Sequence, residues 1–222
     1  MKTWQITALS TAIFALSFAT GASAQIVDGG FETPALGSSN FYAPGQSFGG
    51  PNGNAWTVTP PNGGSNVGVT ISSYYNPNSG NQWLDLTGNN DNGARVGVVQ
   101  SVTTVAGQAY TLTFFVGHKI DEAAPAVIGV SINGGTFTNF TNGDTTAPAT
   151  GINNFKQFTY DFTATGASTS LQFVNAAGVV GSQVSGLDDV SLRAVPGPIA
   201  GAGIPALLAL GGALFVRRRK TA

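Results

Sequence analysis

Between residues 25 and 194 the apolar side chains fall in short runs of Val, Ile, Tyr and Phe. They alternate with Thr, Ser or Asn and are broken every few residues by Gly, Asn or Pro. Alternation of period two puts one set of side chains on each face of an extended strand, and no window holds the 3.6-residue spacing of an amphipathic helix. The pattern predicts strands over 67–73, 82–86, 96–104, 110–116, 126–132, 155–163, 170–174 and 187–193. Eight such strands with turn residues between them predict an all-β protein, two packed antiparallel sheets in a jelly-roll β-sandwich. Residues 35–64 carry Gly, Pro and Asn with scattered aromatics (Phe41, Tyr42, Phe48, Trp56) and read as one long loop over the sandwich. There is no internal repeat.

The two ends depart from this pattern. Residues 1–24 carry Lys2, an apolar stretch over 6–18 and the small-x-small closure Ala22-Ser23-Ala24, which together predict a signal peptide cut by signal peptidase before Gln25. Residues 195–222 run from Val195-Pro196-Gly197-Pro198 through an uncharged apolar run, 199–216, to Arg217-Arg218-Arg219-Lys220. At about 1.5 Å per helical residue that run nearly spans a hydrocarbon core of roughly 30 Å. The basic cluster behind it stays cytoplasmic, so residues 25–194 lie outside the inner membrane. This tail resembles the PEP-CTERM sorting signal of Gram-negative bacteria at Val195, Pro196, Pro198, the apolar run and Arg217, Arg218 and Arg219. It departs from it at Gly197, where that family carries a glutamate. The resemblance implies processing by an exosortase-type membrane enzyme: an inner-membrane-anchored intermediate, then the cell surface or extracellular matrix. A permanent carboxy-terminal anchor is the alternative.

Composition narrows the classes. The 170 residues from Gln25 to Ala194 are enough for one domain with a real core. They hold four basic residues (Arg95, Lys119, Lys156, Arg193) against ten acidic ones, a net charge of −6. A nucleic-acid partner, which needs clustered cations, is disfavoured. With no cysteine and a single histidine, zinc sites built from those ligands are excluded, whereas calcium, which takes oxygen ligands, stays open.

Within the domain, Gly29-Gly30-Phe31-Glu32, Trp56, Gln82 to Leu86, Gln100 to Thr103, Gly107 to Phe114 and Leu187 to Leu192 occur in the order seen in galactose-binding-like domains. This superfamily, which the chain resembles over nearly the whole of 25–194, includes many carbohydrate-binding modules. The resemblance implies a structural calcium between a glutamate near the first strand and an aspartate in the last, positions that match Glu32 and Asp188, with Asp189 as substitute ligand. Strand alternation agrees in part: it places Asp188 with Val190 and Leu192 on the core face, where a buried carboxylate needs a counter-charge. Caps of solvent-edge turns are the plainer alternative for these carboxylates.

The same alternation puts Leu84 and Leu86 inward and Trp83 and Asp85 on the opposite face. An exposed Trp beside a carboxylate offers a sugar a flat apolar platform and an acceptor for hydroxyls, which Tyr74, Tyr75 and Tyr42 would extend. Plain packing of Trp83 beneath the 35–64 loop is the competing reading, and for Trp56 a core position is the stronger one. His118, at a strand end before Asp121 and Glu122, reads as a surface residue. No Gly-x-Ser-x-Gly turn is present, and Asp85, Asp121, Glu122 and Asp161 lie in no hydrolase motif, so no enzyme is expected. The expected function is a non-catalytic exported protein that binds exopolysaccharide or envelope glycans. The alternative is a structural surface or biofilm-matrix component acting through protein–protein contacts.

Overall fold

A computed structural model describes residues 25–59, 66–71, 75–89, 95–177 and 184–196. Among the described residues there are twelve strands and no helix. They are β1 (Asn40–Tyr42), β2 (Ser47–Phe48), β3 (Trp56–Thr59), β4 (Val67–Ile71), β5 (Gln82–Asp85), β6 (Gly97–Thr103), β7 (Ala109–Lys119), β8 (Ala126–Ile132), β9 (Thr138–Asn142), β10 (Asn153–Thr163), β11 (Ser168–Asn175) and β12 (Ser185–Ala194). They form two six-stranded sheets in the orders β1-β4-β5-β12-β7-β10 and β2-β3-β6-β11-β8-β9, and every recorded pairing is antiparallel. The last eight strands supply two four-stranded halves, β5-β12-β7-β10 and β6-β11-β8-β9, which is the jelly-roll order. The protein is therefore an all-β jelly-roll sandwich, as its alternation pattern implies.

All eight expected strands are present, with ends differing by a few residues at most. The 35–64 segment is not one loop: it contributes β1, β2 and β3 to the sheet edges. Along β7 the residues Tyr110, Leu112, Phe114 and Val116 are buried, while Thr111 and Thr113 between them are half-buried. Tyr110, Leu112, Phe114 and Val116 meet Trp56, Val58, Val98, Ile128, Leu171, Phe173, Leu84 and Leu187 in one continuous core. Trp56 and Phe173 pack edge to face with centroids 6.1 Å apart, and Phe114 meets Phe173 at 5.4 Å. At roughly 25 cal/mol per Å² of apolar area removed from water, this core replaces the disulfides the chain lacks.

The register of β12 breaks at one point. Asp188 pairs with Phe115 and Ser191 with Thr113, so the β12 side carries one residue more than β7. Asp189 takes up the excess with a φ of 48°. The expected shared face of Asp188, Val190 and Leu192 is thus corrected: the bulge flips the alternation, leaving Val190 and Leu192 in the core and Asp188 on the outer face of its sheet. Asp188 is nonetheless fully buried, because the segment after Tyr75 folds over it.

The expected signal peptide (1–24) and the apolar run with its basic cluster lie outside the described residues, as do Gly197, Pro198, Arg217, Arg218 and Arg219. Val195 and Pro196 are described, and Val195 donates its N–H to the Ala109 carbonyl at 2.9 Å, closing β12 against β7. No helix among the described residues is long and apolar enough to cross a membrane.

Candidate functional site

Near Gly30, where the chain enters the sandwich, the carboxylates of Asp188 and Asp189 come close to the side-chain stem of Glu32. A Cβ built on Gly30 would stand 3.5 Å from Asp189 Oδ1, 3.8 Å from Glu32 Cγ and 3.9 Å from Asp188 Oδ1. Each carboxylate holds part of one segment, 78–82. Asp188 Oδ2 accepts the Asn78 and Ser79 N–H groups at 2.9 and 3.4 Å. Asp189 accepts the Asn78 side-chain amide at 2.7 Å and the Ser79 hydroxyl at 2.8 Å. Glu32 Oε1 accepts the Asn81 and Gln82 N–H groups at 2.7 and 2.8 Å. The three expected residues are thus tied to one segment, 78–82, at different points along it.

Burial, and then the neighbouring Asp189 charge, push the Asp188 carboxyl up to about 8, against three backbone N–H groups that pull it down. No Lys or Arg forms a salt bridge with it among the described residues. A buried carboxylate without a cationic partner, beside a second carboxylate, supplies oxygen atoms of the kind a hard cation takes. Side chains alone do not complete such a site: among the described residues no three of His, Cys, Asp or Glu form a ligating group. A calcium ion here would draw the balance of its roughly six to eight oxygens from backbone carbonyls and water.

The aromatic platform is corrected by the structure. Trp83 does lie on the face opposite Leu84, but it is only 1% exposed. Its indole N–H donates to the Tyr75 carbonyl at 3.0 Å, and its ring meets Phe155 edge to face at 6.2 Å. The ring lies across Gly186, where an added Cβ would be 3.2 Å from it. Trp83 therefore presents no surface to a sugar. Asp85 is half-buried and accepts the Thr87 N–H at 2.8 Å, Tyr75 is half-buried, and Tyr74 lies outside the described residues. Tyr42 stacks on Phe48 at 4.5 Å, and Trp56 is a core residue whose indole N–H reaches the Asp28 carbonyl at 2.9 Å.

His118 is also corrected from surface to interior: it is 1% exposed, with Nδ1 3.2 Å from the Asp144 carbonyl and Nε2 3.1 Å from the Ala124 carbonyl. The ring pins two loops to the end of β7. Lys119 beside it bridges Asp121 at 3.0 Å and Glu122 at 3.3 Å, so neither acid pairs with the histidine.

Two clefts, neither of them evident from the alternation pattern, flank the dipeptide Asn76-Pro77. The larger, about 720 Å³, is lined by Glu32, Leu36, Ile71, Asn76, Asn81 and Thr150 among others. The smaller, about 280 Å³, is lined by Asn76, Pro77, Asn78, Pro148, Asn153, Asn154 and Phe155. The walls alternate amides with aliphatic or aromatic carbon. Among the described residues that line them, Glu32 is the only charged one, and none is Lys, Arg or His. The local signal was the Asn76-Pro77-Asn78 turn and the Asn153-Asn154 pair ahead of an aromatic-rich strand.

No family model and no curated protein matches the sequence. Among solved structures the chain is similar to the CBM22-1 xylan-binding domain of Paenibacillus barcinonensis Xyn10C, at 16% identity and a TM-score of 0.40 over 74% of this chain and 100% of that one. It is similar to CBM35 of Cellvibrio japonicus Abf62, at 16% identity and a TM-score of 0.36 over 72% and 95%. A third is the Podospora anserina GH26-CBM35 β-(1,4)-mannanase, at 10% identity and a TM-score of 0.41 over 73% of this chain, which spans 29% of that one. Likeness at this level carries no functional argument, and the fold stands on the strand order itself.

Proposed function

We propose that the chain is an exported, non-catalytic protein that binds polysaccharide through the cleft between residues 32–36 and the 76–82 segment. The observation that carries this reading is the chemistry of that cleft: amides able to donate and accept, aliphatic side chains for the C–H faces of a sugar, and one carboxylate. Nucleic acid is disfavoured as ligand, because no cation lines the site. A structural calcium at Glu32, Asp188 and Asp189 belongs to the same proposal. These three side chains hold the 78–82 segment and Glu32 also lines the cleft, so the ion would rigidify one wall of the cleft. Delivery to the cell surface or matrix by signal peptidase and an exosortase-type enzyme rests on the sequence of the two ends.

Calorimetric titration of the full chain with exopolysaccharide fragments tests the location. Ala35 is exposed and lines the cleft, so Ala35→Arg places a long side chain across its mouth. The expected result is saturable heat for the native chain and at least tenfold weaker binding for the variant. Equal binding by the two would remove the cleft from the account.

A further inference from the structure

The two sheets end on the edge strands β1, β10, β2 and β9. Three of them are short, with three residues in β1, two in β2 and five in β9, whereas β10 has eleven. A short edge is protected from pairing with another chain, and so is one broken by a bulge or a proline. β10 pairs with β7 through all its residues without a bulge and contains no proline. Its one guard is the charge of Lys156.

Two backbone bonds fix which groups of β10 face outward. The Ile120 N–H donates to the Ile152 carbonyl at 3.0 Å, and the Ala164 N–H donates to the Gln108 carbonyl at 2.9 Å. Both make the adjoining pairs, Asn153–Lys119 and Thr163–Ala109, non-hydrogen-bonded pairs of the ladder. Alternation then aims the N–H and C=O groups of the odd-numbered residues away from β7. At Asn153 the Asn76 side chain takes both, accepting the N–H and donating to the carbonyl, each at 3.0 Å. Those of Phe155, Gln157, Thr159, Asp161 and Thr163 have no partner among the described residues. Beneath this open ladder, on the inner face of β10, Phe158, Tyr160 and Phe162 pack against the core and yet are only half-buried.

We propose that β10 pairs edge to edge with β10 of a second copy of this chain, antiparallel about a twofold axis through Thr159. Such a contact is isologous and closes as a dimer. In this register Thr159 meets Thr159, Gln157 meets Asp161 and Phe155 meets Thr163 of the second copy, and each pair exchanges two N–H···O bonds. All five open residues are used. Moving the axis by one residue leaves Phe155 or Thr163 over, and an axis at Asp161 sets two carboxylates directly opposite. About Thr159 the Asp161 carboxylate faces an amide instead. On the inner face Phe158 comes opposite Tyr160, and Lys156 comes opposite the Phe162 ring. The cation that would oppose pairing with most strands thus finds an aromatic face, and this complementarity selects a second copy. The larger cleft lies elsewhere, so failure of this pairing leaves polysaccharide binding standing, and the reverse holds.

The chain has no cysteine, so an introduced one reports on its own position. Across the axis the two Thr159 Cα atoms would lie about 5.5 Å apart, within the roughly 4.4–6.8 Å that a disulfide spans. On oxidation of the full chain in detergent, Thr159→Cys is expected to give a covalent dimer. Thr163→Cys, far from the axis, is expected to give none. Sedimentation equilibrium in density-matched detergent is expected to show a dimer for the native chain. Because Gln157 faces Asp161, Gln157→Glu should weaken it about fivefold and Gln157→Lys should tighten it by about the same factor. Gln157 is exposed, so both variants keep the fold. A native chain that stays monomeric would overturn the pairing. A dimer unmoved by the two Gln157 variants would do so as well, as would one in which Thr163→Cys cross-links as readily as Thr159→Cys, because another surface would then hold it.

Discussion

Trp83 separates two things that alternation joins. Period two tells which face of a sheet a side chain leaves from, and Trp83 does leave from the face opposite Leu84. It does not tell what lies over that face. Here the Tyr75 backbone and Phe155 cover it, leaving the indole 1% exposed. Trp83→Ala is therefore expected to act on stability: deleting a buried Trp costs about 3–5 kcal/mol, read as a lowered urea midpoint. Unchanged stability with lost polysaccharide binding would restore Trp83 to the surface. Gly186 and Gly117 make the complementary case. Each lies under an aromatic ring, so Ala at either position is expected to cost about 1–3 kcal/mol by overpacking, seen in the same urea titration.

At the scale of elements, the strands with strong alternation were legible, and β8 (Ala126–Ile132) has the boundaries its sequence indicates. The missed ones are short or polar, apart from β3, whose Trp-Thr-Val-Thr alternates clearly but is set among the Gly, Pro and Asn of the 35–64 segment. β1 and β2 have three and two residues, and β9 reads Thr-Asn-Phe-Thr-Asn, where only Phe140 gives an inward signal. The β12 bulge was illegible for another reason: Asp188-Asp189-Val190 alternates acceptably in either register, and only pairing with β7 exposes the extra residue. That bulge has a measurable consequence. Burial raises the folded-state pKa of Asp188 to about 8 from the ordinary aspartate value of 3.8, so the folded chain keeps a proton that the unfolded chain has released. In chelator, its contribution to stability is complete below about pH 4 and is lost as pH rises through about 8. Calcium binds the ionised form, so at pH 8 millimolar calcium is expected to raise the melting temperature above its value in EDTA. Identical melts with calcium and with EDTA would contradict the proposed ion. His118 gives an independent element-scale prediction. His118→Leu removes the ring contacts to the Asp144 and Ala124 carbonyls, at a cost of about 1–3 kcal/mol. It should also speed amide exchange in the loop between β9 and β10, which carries Thr150 and Pro148 into the two clefts. Slow exchange there would mean that other contacts, such as Asn154 Nδ2 to the Thr146 carbonyl, suffice.

For the whole molecule, the carboxylates, the 78–82 loop and the clefts form one mechanical unit. Glu32, Asp188 and Asp189 hold the segment that also lines both clefts, so removal of the proposed calcium is expected to weaken the proposed polysaccharide binding. The fold class was legible because it rests on patterning, whereas Glu32, Asp188 and Asp189 were singled out by the galactose-binding-like resemblance, and alternation alone put Asp188 on the wrong face. The clefts were not legible, since each joins segments more than sixty residues apart: Asn76 meets Asn153 in one, and Glu32 meets Thr150 in the other. The most direct measurement is affinity electrophoresis of the full chain through gels cast with a panel of neutral and acidic polysaccharides, with and without EDTA. The account predicts retardation by at least one neutral polymer, reduced when calcium is chelated. Free migration of the folded chain through every gel would contradict it and favour a matrix component that acts through protein–protein contacts.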